Sequence, residues 1–227
     1  MNLNHVAIIP DGNRRWARAH GLDTIEGHRK GMETIEPIMR EAKKIGVKYL
    51  TAWGCSKDNL EKRTMREVKY LYSLFGEYFE KLIKDEEIHS NQVKIRVIGE
   101  WFKYFPSPLR SLAKKIEKVT DKYLNYNFTL LMAYDGKREM QSAFENAGQG
   151  RGNNLAKYLW TRDLPPVDLV IRTGEKSNLA HWSSGFLMWQ TADSEFYFTK
   201  TMWPAFGTKE FHKAVDLYNS RTRNLGK

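Results

Sequence analysis

His5-Val-Ala-Ile-Ile-Pro-Asp-Gly-Asn-Arg-Arg-Trp16 begins with an apolar run, His5 to Pro10, that stops at the polar cluster Asp11, Gly12, Asn13. A short apolar run cut off by such a cluster is the pattern of a strand ending in a loop. Beyond it, Met32, Ile35, Ile38, Met39, Ala42 and Ile45 recur at helical spacing, with Gly46 as the stop and Pro37 as a kink. Val47 to Trp53 reads as a second strand, and Val68, Leu71, Phe75, Tyr78 and Leu82 mark a second amphipathic helix. A strand at Val93 to Gly99 follows, then a helix over Leu109 to Leu124, then strands at Phe128 to Tyr134 and Val167 to Arg172, with a further strand expected at Phe186 to Gln190. Strands alternating with helices predict an α/β fold, a mostly parallel central sheet flanked by helices on both faces. Gly148 to Asn154 is the one flexible-looking stretch and is too short to divide the chain. A single domain over 1–227 is expected, with no repeat and no low-complexity tract.

Composition narrows the class. The chain has 227 residues, 41% of them hydrophobic and 28% charged, which is ordinary globular balance and excludes disordered, collagenous and coiled-coil chains. Its one cysteine, Cys55, has no partner for an internal disulfide, so a reducing, cytoplasmic compartment is expected. No apolar run is long enough to span a bilayer. A net charge of +10 calls for anionic partners: nucleic acid, a membrane surface or phosphorylated small molecules. The cations are spread along the chain without a basic run or a recognition motif, so no nucleic-acid partner is expected.

In open α/β sheets ligands bind beyond the carboxyl ends of the strands. The loops expected there are Asp11-Gly12-Asn13-Arg14-Arg15-Trp16, Ser56-Lys57-Asp58-Asn59, Tyr134-Asp135-Gly136-Lys137-Arg138 and Arg172-Thr173-Gly174-Glu175-Lys176. Each mixes cations with small or acidic polar residues, which suits a diphosphate and a divalent ion. Backbone N–H groups at Gly12 to Arg14 would attract phosphate oxygens, and Arg14, Arg15 and Arg172 would bind them through charge-assisted bonds. Magnesium needs only one or two protein carboxylates when phosphates and water complete its shell, and Asp11 is the natural donor. Each signal also has a plain reading. Asp-Gly-Asn is a common turn, an Arg-Arg pair is usually a solvated face, and Cys55 beside Ser56 reads as a small buried residue. Trp101, Phe102, Tyr104 and Phe105 read as packing or as a loop lid.

Taken together in order, these blocks resemble the cis-prenyltransferases, the family of undecaprenyl and dehydrodolichyl diphosphate synthases. The likeness runs from His5–Trp16 through Gly27-His28 and Gly31, Ser56–Asn59 with Arg63, and Val97–Gly99. It continues through Asp168–Gly174, Phe186–Gln190, Ser194–Thr199 and Trp203-Pro204 to the basic tail Arg221–Gly226. The resemblance implies joining of an allylic prenyl diphosphate to isopentenyl diphosphate with a new cis double bond, in a homodimer whose helices enclose an apolar tunnel. It implies that Asp11 holds Mg2+, with Glu195 as the second metal carboxylate near the dimer interface. Gly12, Asn13, Arg14 and Arg15 match the allylic diphosphate site, Trp16 and His28 neighbouring positions, and Arg63 a diphosphate-site arginine. Ser56 and Asn59 match the pair near the reacting carbons, in the same motif as Lys57 and Asp58, with Asn59 assisting proton removal. Arg172 and Ser184 match the acceptor diphosphate cluster, and Arg223 and Gly226 would act on the partner's site. A lipid product implies contact with the membrane periphery.

The chain departs from the family pattern in four places. Leu22 to Glu26 lack the usual arginine before Gly-His. Ala133-Tyr134-Asp135-Gly136-Lys137 stands where Asn-Tyr-Gly-Gly-Arg is usual. The stretch from there to Asp168 is short. After Arg172 an insertion places Trp182 where the second acceptor arginine belongs, and a lost guanidinium fork is not replaced by Lys176. An alternative is therefore carried forward: dimethylallyl diphosphate as acceptor, giving an irregular, non-head-to-tail product. A non-catalytic accessory subunit is a further alternative, disfavoured by the presence of both Asp11 and Glu195.

Overall fold

The opening apolar run forms β1 (His5–Ile9), with every residue buried. The computed structural model describes residues 3–148, 154–176, 183 and 185–221. After β1 come α1 (Asn13–Ala19), α2 (Thr24–Lys44), β2 (Tyr49–Ser56), α3 (Lys57–Lys62), α4 (Met65–Lys84) and α5 (Glu86–Ser90). Then follow β3 (Val93–Ile98), α6 (Trp101–Tyr104), α7 (Ser107–Thr120), β4 (Tyr126–Tyr134), α8 (Gly136–Gly148), β5 (Leu169–Arg172), β6 (Glu195–Phe198) and α9 (Thr208–Ser220). The six strands make one sheet in the order β3-β4-β2-β1-β5-β6, and every pairing is parallel.

Alternation along the strands sorts side chains between two faces. Val6 and Ile8 of β1, Phe128 and Leu130 of β4, and Leu169 and Ile171 of β5 enter the larger core with Phe75, Phe79 and Ile38. Ala7, Ile9, Leu131 and Val170, the intervening residues, enter a smaller core with Tyr134, Phe186 and Leu187 on the opposite face. Both faces are covered, which is why the strands are near-continuous apolar runs.

Local chemistry sets the helix boundaries. α2 begins before the apolar periodicity does, because Asp23 caps it by accepting from the Ile25 N–H at 3.0 Å. Thr64 caps α4 by accepting from the Glu67 N–H at 3.3 Å. Pro37 sits inside α2, and Gly46, with φ +88°, follows its end. The strand expected at 186–190 is not one. That segment is a turn closed by the Thr191 N–H and hydroxyl, both donating to the Leu187 carbonyl at 3.0 and 2.7 Å. Its apolar residues Phe186 and Leu187 plug the smaller core, and the sixth strand is Glu195–Phe198. α8 occupies a stretch whose opening residues read as a loop in the sequence. Of the Gly148–Asn154 stretch, residues 149–153 lie outside the described residues. Among the described residues no helix is long and apolar enough to cross a membrane.

His5 ties three segments together inside the sheet. Its ring nitrogens pair with the Pro165 carbonyl at 3.0 Å and the Thr51 hydroxyl at 2.8 Å. A neutral ring satisfies both, with Nδ1–H donating and Nε2 accepting. Burial pushes its pKa down to about 4, against weaker opposition from the Pro165 carbonyl and the Asp168 charge. Between that value and its ordinary 6.5 the unfolded chain binds a proton that the folded chain refuses, so stability falls as pH drops through this window. The expected loss from this group is about 2 kcal/mol between pH 8 and pH 5. Urea titrations at both values should show it, and His5→Asn should have a shallower pH dependence than the parent. Equal slopes would mean that His5 accepts its proton while folded.

Candidate active site

β1 and β5 are neighbours, and the chain leaves them in opposite directions, toward β2 and toward β6. Such a switch point opens a crevice beyond the strand ends. The two loops there are stitched together. The Thr173 N–H donates to the Ile9 carbonyl at 3.2 Å, and the Thr173 hydroxyl donates to the Asp11 carbonyl at 2.9 Å while its oxygen lies 3.0 Å from the Asp11 N–H. Arg15 Nη2 donates to the Gly174 carbonyl at 2.6 Å, and the Trp203 N–H to the Asp11 carbonyl at 3.0 Å. Gly12 turns the chain at φ +106°, and a Cβ there would meet Met202 Cβ at 2.8 Å. Gly27 and Gly31 let α2 press against the same loop. A Cβ on Gly27 would sit 2.1 Å from the Asn13 carbonyl oxygen, and one on Gly31 2.2 Å from Asn13 Oδ1.

Beyond the stitched loops lies a cavity of about 480 Å³. One part of its wall carries Arg14, Arg15, Arg18, Arg63, Arg172 and Lys176 with a single acid, Asp11. Another part is apolar, built from Met32 and Ile35 of α2, Leu71 and Phe75 of α4, and Ala52 of β2. Asp11 is 44% exposed, and its carboxylate lies 3.2 Å from Arg15 and 3.4 Å from Arg172. Arg172, held at the end of β5, also donates to Ser183 Oγ at 2.6 Å and lies 3.6 Å from Glu175, which is itself nearly buried.

Ser56 and Asn59 form a reciprocal cap at the start of α3. The Asn59 N–H donates to Ser56 Oγ at 3.1 Å, and the Ser56 N–H to Asn59 Oδ1 at 3.2 Å. Both line the cavity, with the Ser56 hydroxyl hydrogen and the Asn59 NH2 group left to donate. Cys55 also lines it, but burial pushes its thiol up to about 11, so it stays protonated and is no nucleophile.

The structure brings Asp11, Gly12, Asn13, Arg14, Arg15, His28, Ser56, Asn59, Arg63 and Arg172 to one cavity wall. It leaves the other expected residues off it. Trp16 stacks on His20 at 4.2 Å, turned away by its place on α1. Lys57 and Asp58 point along α3 and pair with Glu61 and Lys62, at 4.0 and 2.6 Å. Glu195 does not reach the cavity of its own chain. It starts β6, level with Leu169 rather than Arg172, and pairs with Arg221. Ser184, Trp182, Arg223 and Gly226 lie outside the described residues. Among the described residues there is no group of three or more His, Cys, Asp and Glu side chains able to hold a metal. One carboxylate in a cationic cavity fits magnesium that arrives on a diphosphate and keeps part of its water shell.

Sequence reading missed Arg18, although it follows Arg14 by one helical turn and so shares its face. It also missed the role of Glu67. This carboxylate lies 2.9 Å from His28 Nε2 and 3.3 Å from Arg63 Nη1, with all three side chains largely buried. Desolvation lowers the His28 pKa, and the Arg63 charge adds to this against the opposing Glu67 hydrogen bond. His28 is therefore neutral, donating Nε2–H to Glu67, and Glu67 carries the charge that balances Arg63. Glu67→Ala should strand a buried guanidinium and cost about 3 kcal/mol of folding stability in urea unfolding. Glu67→Gln, which can still accept a hydrogen bond, should cost less. Equal and small losses would remove Glu67 as the anchor of this wall.

Comparison with known proteins identifies the family. The undecaprenyl diphosphate synthase family model matches residues 9–226. The chain is 34% identical over 233 residues to the tritrans,polycis-undecaprenyl-diphosphate synthase (geranylgeranyl-diphosphate specific) of Picrophilus torridus, covering 98% of this chain and 89% of that one. It is 34% identical over 231 residues to the isoprenyl transferase of Thermotoga maritima, covering 98% and 96%. Among solved structures, lavandulyl diphosphate synthase from Lavandula x intermedia in complex with dimethylallyl diphosphate matches with a TM-score of 0.89 at 30% identity, over 99% of this chain and 98% of that one. The chain belongs to the cis-prenyltransferase family of undecaprenyl diphosphate synthases and is a transferase of prenyl groups.

Proposed function

We propose that the chain condenses an allylic prenyl diphosphate with isopentenyl diphosphate, with Mg2+ at Asp11. The observation that carries this reading is the division of one cavity into a cationic wall and an apolar wall. That division matches a molecule with a diphosphate head and a hydrocarbon tail. The allylic head is assigned to Arg14, Arg15, Arg18 and the N–H groups after Gly12, which has no side chain to cap them. The acceptor head is assigned to Arg172, Ser183 and Lys176. In the reaction the allylic C–O bond breaks and the departing diphosphate takes the electron pair. The acceptor's double bond supplies the pair for the new C–C bond, and the acceptor loses a proton. Fixed cations stabilise the leaving group where its charge develops. Bound at Asp11, magnesium would add to that neutralisation. Ser56 and Asn59, positioned by their mutual cap, can donate to a diphosphate oxygen near the carbon that loses the proton.

A second reading has its own support: dimethylallyl diphosphate as acceptor and a short, irregular product. The matching lavandulyl diphosphate synthase was solved with dimethylallyl diphosphate. Leu71 and Phe75 are also among the residues lining the cavity of about 480 Å³, and bulky apolar side chains there suit a short hydrocarbon tail. Glu195 is assigned to the site of a second copy in a homodimer, since it does not reach its own.

Incubation of the protein and magnesium with a series of allylic diphosphates and either labelled isopentenyl or labelled dimethylallyl diphosphate tests both readings. Label from isopentenyl diphosphate in a lengthening product is the expected result. Label from dimethylallyl diphosphate alone selects the irregular reaction. Asp11→Ala should lower either activity by at least about 100-fold. No incorporation in any pairing would overturn both and leave an accessory subunit.

A further inference from the structure

We propose that the outer face of α6 and α7 is a docking surface for an anionic lipid bilayer. Phe102 projects from α6 with 52% of its surface exposed. Two cations bracket its ring, Arg110 Cζ at 4.9 Å and Lys114 Nζ at 4.7 Å from the centroid. Lys103 Nζ sits 5.4 Å from the Tyr104 centroid beside them. Arg110, Lys114 and Lys118 follow one another at four-residue spacing and so share one stripe of α7. The acids of this region have partners of their own: Glu61 accepts the Tyr104 hydroxyl, and Glu100 lies 3.6 Å from Arg138. Glu117 accepts the Val97 N–H at 3.0 Å, and Asp121 pairs with Lys94 at 3.1 Å. Among the described residues, no ion pair engages Lys103, Arg110, Lys114 or Lys118.

Unpaired cations held around an exposed aromatic ring match a layer of anionic headgroups over hydrocarbon. The cations meet the lipid phosphates while the ring enters the interface. Exposed Val119 adds apolar surface on the same helix. A chain of packed rings runs from this surface inward to the cavity. Phe102 packs on Trp101, Trp101 on Phe105, and Phe105 on Phe75, at 5.9, 6.3 and 6.1 Å, and Phe75 lines the apolar wall. Docking would therefore set the apolar end of the cavity toward the bilayer. That last consequence rests on the prenyl reading, whereas the docking itself does not.

Sedimentation of the full chain with phosphatidylcholine vesicles, with and without phosphatidylglycerol, tests the proposal without any substrate. Binding only to the anionic vesicles, weakening as salt rises, is expected. At about fivefold per cation near an anionic surface, Arg110→Glu, Lys114→Glu and Lys118→Glu combined should weaken binding by at least about 100-fold. Lys69→Glu, Lys200→Glu and Lys209→Glu combined change the net charge equally and should weaken it by less than about threefold if the patch is specific. Phe102→Ser should weaken binding while leaving its salt dependence intact. Circular dichroism verifies that each variant is folded. Equal losses in the two triple variants would reduce the effect to net charge and overturn the proposal. Failure to bind anionic vesicles at low salt would overturn it too, as would capture of duplex RNA by the patch in place of vesicles. Sedimentation without prenyl transfer would leave the docking surface standing and overturn only the reaction.

Discussion

Everything at the active site depends on the joint between the loops that follow β1 and β5. The Thr173 hydroxyl and N–H, the Arg15 guanidinium and the Trp203 N–H all bond to backbone of those loops. These bonds lock Asp11 beside Arg172, with one carboxylate oxygen accepting the Gly12 N–H at 2.6 Å and the other facing Arg172. Parallel strands deliver the two loops to the same end of the sheet, and the switch in chain direction keeps the space between them open. A carboxylate among cations is then held ready rather than neutralised by collapse onto one partner.

The cavity joins two environments that ordinarily exclude one another. Carboxylates stand directly behind two of its guanidinium groups, Glu67 behind Arg63 and Glu175 behind Arg172. Neither carboxylate lines the cavity. The wall is thus cationic toward a ligand while the protein behind it is nearly neutral, which limits the cost of burying the guanidinium groups. The apolar wall needs no such device, because α2 and α4 simply extend their core-facing stripes into the cavity.

Much of this was legible in the sequence. Apolar runs placed five of six strands because parallel strands buried on both faces leave little else to write there. The sixth failed because Phe186 and Leu187 are apolar for a different reason: they fill the second core from a turn. The loops bearing Asp11, Asn59 and Arg172 were found because strand ends are where such a sheet binds ligands. Orientation was not legible. Trp16, Lys57 and Asp58 sit in the right motifs, but helix phase turns them away, and neighbours one turn along take up their side chains. Glu67 was overlooked as a site residue because its partners lie on other segments, and only the packing of α4 against α2 brings it to His28.

The reciprocal cap at Ser56 and Asn59 carries a consequence for how such a site evolves. The same two side chains start α3 and line the cavity, so a change at either alters the helix and the cavity wall at once. A sequence drifting at position 59 would lose its helix start before selection could sample a new side chain in the cavity there. Positions 56 and 59 are therefore expected to change together or to stay as they are, while Lys57 and Asp58 between them, facing solvent, are free to wander.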